Sequence, residues 1–164
     1  MNRITIKQIF NNIDIDKDYL VSGWVRTRRG SKSVAFIMLN DGSTIKDLQI
    51  IVEDEALLDE VFKKINTGTS ITVVGTLLKS KGKGQALELV AKKIIILGLS
   101  DPDDYPIQPK KHTLDFLRKH AHLRFRTKTF SSIFRIRHAL SFAIHNFFNS
   151  RNFYYINTPI ITSA

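Results

Sequence analysis

Leu20-Val-Ser-Gly-Trp-Val-Arg-Thr-Arg-Arg29, Ser33-Val-Ala-Phe-Ile-Met-Leu39 and Ile45-Lys-Asp-Leu-Gln-Ile-Ile-Val52 follow one another closely, each rich in β-branched and aromatic residues. Such runs form strands. They are separated by Arg29-Gly-Ser and by Asn40-Asp-Gly-Ser43, the second a turn signal because Asn, Asp and Gly tolerate the left-handed backbone a hairpin needs. Downstream, residues 54–65 space Leu57, Leu58, Val61, Phe62 and Ile65 as a helix would, with acids early and Lys63-Lys64 late, as the helix dipole prefers. Two further strands are expected at Ser70–Leu78 and Ala86–Leu97, joined by the loop Lys79-Ser-Lys-Gly-Lys-Gly84. Upstream, Ile4 to Asn11 reads as a short helix with Thr5 at its N-cap. Three strands, a helix and two strands is the order of a five-stranded OB-fold β-barrel.

That architecture takes oligonucleotides on the face of strands 2 and 3 and through the 1–2 and 4–5 loops. The chain places suitable chemistry there. Arg26, Arg28, Arg29 and Lys32 flank the first connection, and Lys79, Lys81 and Lys83 populate the 4–5 loop. Alternation sends Ala35, Ile37 and Leu39 to one side of the second strand and Phe36 and Met38 to the other. In the third strand it sends Leu48, Ile50 and Val52 inward and Gln49 outward. An outward Phe beside Arg and Gln offers a stacking surface and an edge-reading amide, the combination single-stranded RNA requires. A register slip of one residue would instead make Phe36 core, and the arginines and loop lysines also fit a solvated strand end and a soluble loop.

The 164 residues carry 25 Lys and Arg against 15 Asp and Glu, a formal charge of +10 with pI near 9.9. Residues 1–98 hold 15 of the bases and 11 of the acids, whereas residues 99–164 hold ten and four. Between Lys110 and Arg151, Asp115 is the single acid. This excess points to a polyanionic partner. Hydrophobic residues make up 43%, enough for a core, and the absence of cysteine excludes disulfides and thiolate metal sites. The first nineteen residues lack the apolar run of a signal peptide and no stretch approaches a membrane span. A soluble, cytoplasmic protein is expected, with no membrane partner.

Three of the four prolines fall in Ser100-Asp-Pro-Asp-Asp-Tyr-Pro-Ile-Gln-Pro109, which reads as a linker. Beyond it a short helix is expected over His112–Arg124 and a longer one over Thr127–Ser150, capped at Thr127 or Thr129. Ile133, Ile136, Leu140, Ala143, Ile144 and Phe147 make a stripe suited to burial on the longer helix, with Phe134 and Phe142 outside it. Phe153–Thr162 reads as a strand interrupted by Pro159. One helix and one such strand cannot cover their own apolar faces, so this segment needs further sequence or a second chain. No Gly-Lys-Ser/Thr loop, Gly-x-Gly-x-x-Gly or His-Glu-x-x-His occurs. His112, His120, His122, His138 and His145 have no acidic neighbours to complete a metal site. Neither a catalytic residue nor a metal site is therefore expected.

Three motifs in order carry a resemblance over essentially the whole chain. Gly23-Trp-Val-Arg-Thr-Arg-Arg29 looks like the first strand of the anticodon-binding domain of class II aminoacyl-tRNA synthetases of the aspartate/asparagine/lysine subgroup. Tyr105 to Arg118, followed by His120-Ala-His-Leu-Arg-Phe-Arg-Thr127, resembles the hinge module of the asparaginyl-tRNA synthetases. Phe153-Tyr-Tyr-Ile-Asn-Thr-Pro-Ile-Ile-Thr-Ser-Ala164 resembles class II motif 1, a dimer interface around a proline, here Pro159. The resemblance implies an OB domain over 1–98, a hinge over 99–126 and the beginning of an α+β class II core over 127–164.

It implies further that Arg29 contacts the anticodon, Phe36 stacks on its middle base, Gln49 reads that base and Glu88 lies near the first. It also implies that Ile133, Ile136, Leu140, Phe147 and Pro159 belong to a homodimer interface. The family joins asparagine to its tRNA through an adenylate, using ATP and magnesium. Motifs 2 and 3, which perform that chemistry, lie beyond Ala164, so this piece is expected to be inactive alone and to bind neither cofactor. The partner implied is asparagine tRNA, with no DNA expected. The rivals are an aspartyl-tRNA synthetase piece and a stand-alone RNA-binding OB module.

Overall fold

In a computed structural model, residues 2–11, 14–31, 33–80, 82 and 84–161 are described. The chain divides into two compact units, 1–120 and 121–164. In the first, β1 (Asp18–Gly30), β2 (Ala35–Asn40), β3 (Leu48–Val52), β4 (Ser70–Lys79) and β5 (Leu87–Gly98) close into a barrel in the order β1-β2-β3-β5-β4. All neighbours are antiparallel except β3 and β5. This is the OB-fold barrel that the strand order implied.

Strand alternation builds the core. Val21 and Val25, Ala35, Ile37 and Leu39, Leu48, Ile50 and Val52, Ile71, Val73 and Leu77, and Leu89 all turn inward and are buried. Each such Val, Leu or Ile side chain contributes about 1.5–3 kcal/mol on leaving water. The helix α1 (Ile6–Asn11) adds Ile6 and Ile9 to this core. Thr5 caps it as expected: its hydroxyl accepts from the Gln8 amide at 3.2 Å while the Gln8 side chain accepts from the Thr5 amide at 2.8 Å. Across the fold, Asp41 Oδ2 accepts from the Ile6 amide at 2.9 Å and Ser43 Oγ from the Lys7 amide at 2.9 Å. The Asn-Asp-Gly-Ser turn therefore also fixes α1. On the surface, the Lys92 ammonium and then the Thr76 hydroxyl hold the Asp18 carboxyl below its ordinary pKa, tying β1 to β4 and β5.

The expected helix over 54–65 is irregular. A π-helical turn at Leu57–Val61 passes into a 3₁₀ turn at Phe62–Lys64. The segment is anchored by Leu58 and Ile65, which are buried.

The proline stretch is not a free linker. Gln108 Nε2 donates to the Tyr105 carbonyl at 2.8 Å and the Pro102 carbonyl at 3.2 Å, and Ile107 is buried. The Tyr105 ring lies so close to Gly68 that a Cβ there would meet it at 2.9 Å, and Gly68 has φ +91°. Only glycine suits that site. The helix α2 (Leu114–Lys119) follows, shorter than the expected His112–Arg124, capped by Thr113 and anchored by buried Leu117. A 3₁₀ turn occupies Arg124–Arg126.

In the second unit, α3 (Lys128–Asn149) is capped by Thr127, whose hydroxyl accepts from the Phe130 amide at 3.4 Å. Within this chain the apolar stripe is uncovered: Ile133, Ile136, Leu140 and Phe147 are 46–61% exposed, and Phe142 reaches 62%. After α3 the chain reverses at Asn152, φ 63°, and Phe153 packs edge-on to Phe148 with centroids 5.5 Å apart. The expected strand over Phe153–Thr162 is not formed among the described residues. A strand exists by hydrogen bonding to a neighbour, and residues 153–161 pair with none.

Candidate nucleic-acid interface

The β1–β2–β3–β5 register assembles one outer face of the barrel. Arg29 lies opposite Phe36, Phe36 opposite Ile51, Met38 opposite Gln49, and Gln49 beside Glu88. Phe36 alternates with buried Ala35 and Ile37, which settles its orientation: it is an outer-face, half-buried ring and not core. The Arg29 guanidinium lies over that ring, 5.1 Å from its centroid. Such a pair is worth about 0.5–1 kcal/mol at an exposed site and pre-orders both groups.

Gln49 and Glu88 lie on the outer side of their strands yet are only 6% and 7% exposed. Polar groups this enclosed demand partners. The Glu88 carboxylate accepts from Gln85 Nε2 at 3.5 Å. An aromatic ring and cation, an amide that both donates and accepts, and an acceptor-only carboxylate thus stand in sequence across one face. Together they can stack a base and read hydrogen-bonding edges.

The other expected residues distribute differently. Arg28 sits on the opposite side of β1 from Arg29, opposite inward Ile37, where it donates to the Phe62 carbonyl at 3.1 Å and covers the Phe62 ring at 5.1 Å. Alternation separates these adjacent arginines, so Arg28 braces the helical segment rather than joining Phe36. Arg26 falls at a break in register between Val25 and Thr27 and pairs with Asp47 at 3.9 Å. Lys79 is exposed at the end of β4. Lys81 and Lys83 lie outside the described residues. Gln85 was missed: it follows Gly84, whose φ of +100° turns the loop back toward β5, and no local pattern announces that turn's target.

Comparison with known proteins agrees with this architecture. A family model described as an OB-fold nucleic acid binding domain matches residues 19–97, and one described as tRNA synthetases class II (D, K and N) matches residues 113–164. The second of these matches places the segment after the barrel among the class II tRNA synthetases. An asparagine–tRNA ligase of Parabacteroides distasonis is 57% identical over 144 residues, covering 88% of this chain and 31% of the relative. That of Cytophaga hutchinsonii is 46% identical over 166 residues, covering 100% of this chain and 36% of the relative. The chain belongs to the asparagine–tRNA ligase family and spans about a third of the length of the curated relatives it matches. The fold is shared with asparaginyl-tRNA synthetase from Pyrococcus horikoshii complexed with asparaginyl-adenylate, at TM-score 0.83 and 18% identity, over 98% of this chain and 37% of that one.

Among the described residues no three or more His, Cys, Asp or Glu side chains gather as a metal ion requires. Among the described residues no helix is long and apolar enough to cross a membrane.

Proposed function

We propose that this chain is the anticodon-reading part of an asparagine–tRNA ligase, with Phe36 stacking on the middle anticodon base, Gln49 reading its edge, Glu88 facing the first base and Arg29 gripping beside them. The observation that carries the reading is the alignment of Arg29, Phe36, Gln49 and Glu88 on one outer face. In this reading residues 1–98 bind tRNA, 99–126 form the hinge and 127–164 begin the catalytic core. Arg26 and the lysines of the 4–5 loop add salt-dependent attraction to phosphates. The whole ligase would act in the cytoplasm, joining asparagine to its tRNA through an adenylate with ATP and magnesium. The uncovered stripe of α3, through Ile133, Ile136, Leu140 and Phe147, together with Pro159, would face a second copy, since so much exposed apolar surface seeks a partner.

Two tRNA transcripts that differ only in the anticodon, GUU against GUC, test the assignment to asparagine in a fluorescence titration at fixed salt. Preference for GUU, by roughly five- to a hundredfold for one misread base, would extend the reading to the third base, to which none of Arg29, Phe36, Gln49 and Glu88 is assigned. Equal binding would leave a reader of the shared bases, compatible with the aspartate enzyme, and preference for GUC would reverse the assignment.

A further inference from the structure

The geometry points to Gln85 as a positioning residue for discrimination of the first anticodon base, an inference that rests on the proposed reading of the anticodon by this face. An ionised carboxylate only accepts hydrogen bonds. Among the four bases only guanine presents two adjacent donors, N1–H and N2–H₂, on its Watson–Crick edge. Glu88 can therefore select guanine only if both of its oxygens are held toward the base. Held edge-on, or swung aside, it reads no more than one donor, which adenine and cytosine also supply.

The chain around Glu88 is arranged to fix that orientation. The 4–5 loop is closed at its base by the Ser80 amide donating to the Ala86 carbonyl at 3.0 Å, and the Gly82 amide donates to Ser80 Oγ at 3.0 Å. Gly84, at φ +100°, turns the chain within that closure, so that Gln85 emerges one residue before the closing pair. Its Nε2 then reaches Glu88 Oε2 at 3.5 Å. At 3.5 Å this is a weak contact, longer than the usual range of about 2.7–3.2 Å for an N–H···O bond, so it biases the rotamer while leaving lone pairs on both oxygens for an incoming base. Glu88 is flanked on the barrel wall by Gln49 of β3 and Leu78 of β4. Among the described residues, Gln85 is the side chain that donates to its carboxylate.

The test compares the full chain with Gln85→Ala, Gln85→Glu and Glu88→Ala, titrated with tRNA transcripts carrying G or A at the first anticodon position and, separately, U or C at the middle one. Gln85→Glu keeps the shape of the side chain but removes the donor, so it separates positioning from packing. The expected result is a fall of at least about fivefold in the G-over-A ratio for both Gln85 variants, with the U-over-C ratio unchanged. Retention of the G-over-A ratio by Gln85→Glu, while Glu88→Ala abolishes it, would overturn the role of Gln85 and leave the anticodon reading intact. A parallel loss of both ratios would show general disruption of the loop and would also overturn it. A wild-type chain indifferent to all anticodon bases would remove the underlying reading together with this inference.

Discussion

Gly75→Ala is expected to destabilise the barrel by about 3 kcal/mol, at the upper end of the range for forcing extra volume into a packed interior. A Cβ at Gly75 would stand 2.2 Å from the Val90 carbonyl oxygen, 2.9 Å from its carbon and 3.1 Å from Ala91 Cα. All three are backbone atoms of β5, and β4 and β5 are tied together along their length at a point where the register already shifts, between Val74 and Gly75. A flexible side chain could move aside; a strand of a closed barrel cannot do so without breaking its ladder. Urea denaturation followed by circular dichroism measures the effect. Gly42→Ala is the control, because nothing lies within 4 Å of its Cβ position and only its φ of +81° is unfavourable. Its cost should stay near 1 kcal/mol. Equal midpoints for Gly75→Ala and the wild-type chain would show that β4 and β5 are not packed as described.

Phe36→Ala should act on binding and not on folding. Its ring lies on the outer face and its partners there are Arg29 and Ile51, while the core positions on either side are filled by Ala35 and Ile37. Loss of one base–aromatic stack costs about 1–3 kcal/mol, or roughly five- to a hundredfold in Kd for the tRNA. Ile37→Ala, one residue away and fully buried, should show the converse: a stability loss of about 2–5 kcal/mol. Isothermal titration with tRNA and thermal melts of both variants separate the two outcomes. A large melting shift for Phe36→Ala with unchanged affinity would make the ring structural.

What the sequence made legible is what short-range physics determines. The period-2 alternation of Ala35–Asn40 placed Phe36 and Ile37 on opposite faces, and the Asn-Asp-Gly-Ser turn placed β2 against β3. Thr5 and Thr127 were recognisable as caps because a hydroxyl before a helix satisfies amides that the helix leaves open. The features that escaped depend on distant residues. Asp41 reaches an α1 amide 35 positions away, and the Tyr105 ring closes on Gly68, far from it in sequence. The separation of Arg28 from Arg29 follows from alternation, but the capture of Arg28 by Phe62 required the helical segment to be in place. The strand expected over Phe153–Thr162 has the residues for pairing but no neighbour among the described residues, and composition alone does not supply one.

The most direct measurement is a titration of the wild-type chain, at one salt concentration, with two asparagine tRNA transcripts that differ only at the middle anticodon base, GUU and GCU. If Phe36 and Gln49 receive that base, GUU should bind about ten times more tightly or better, the discrimination expected of a well-formed base contact. Equal affinities for the two transcripts would contradict anticodon reading by this face and reduce the barrel to a non-specific basic surface.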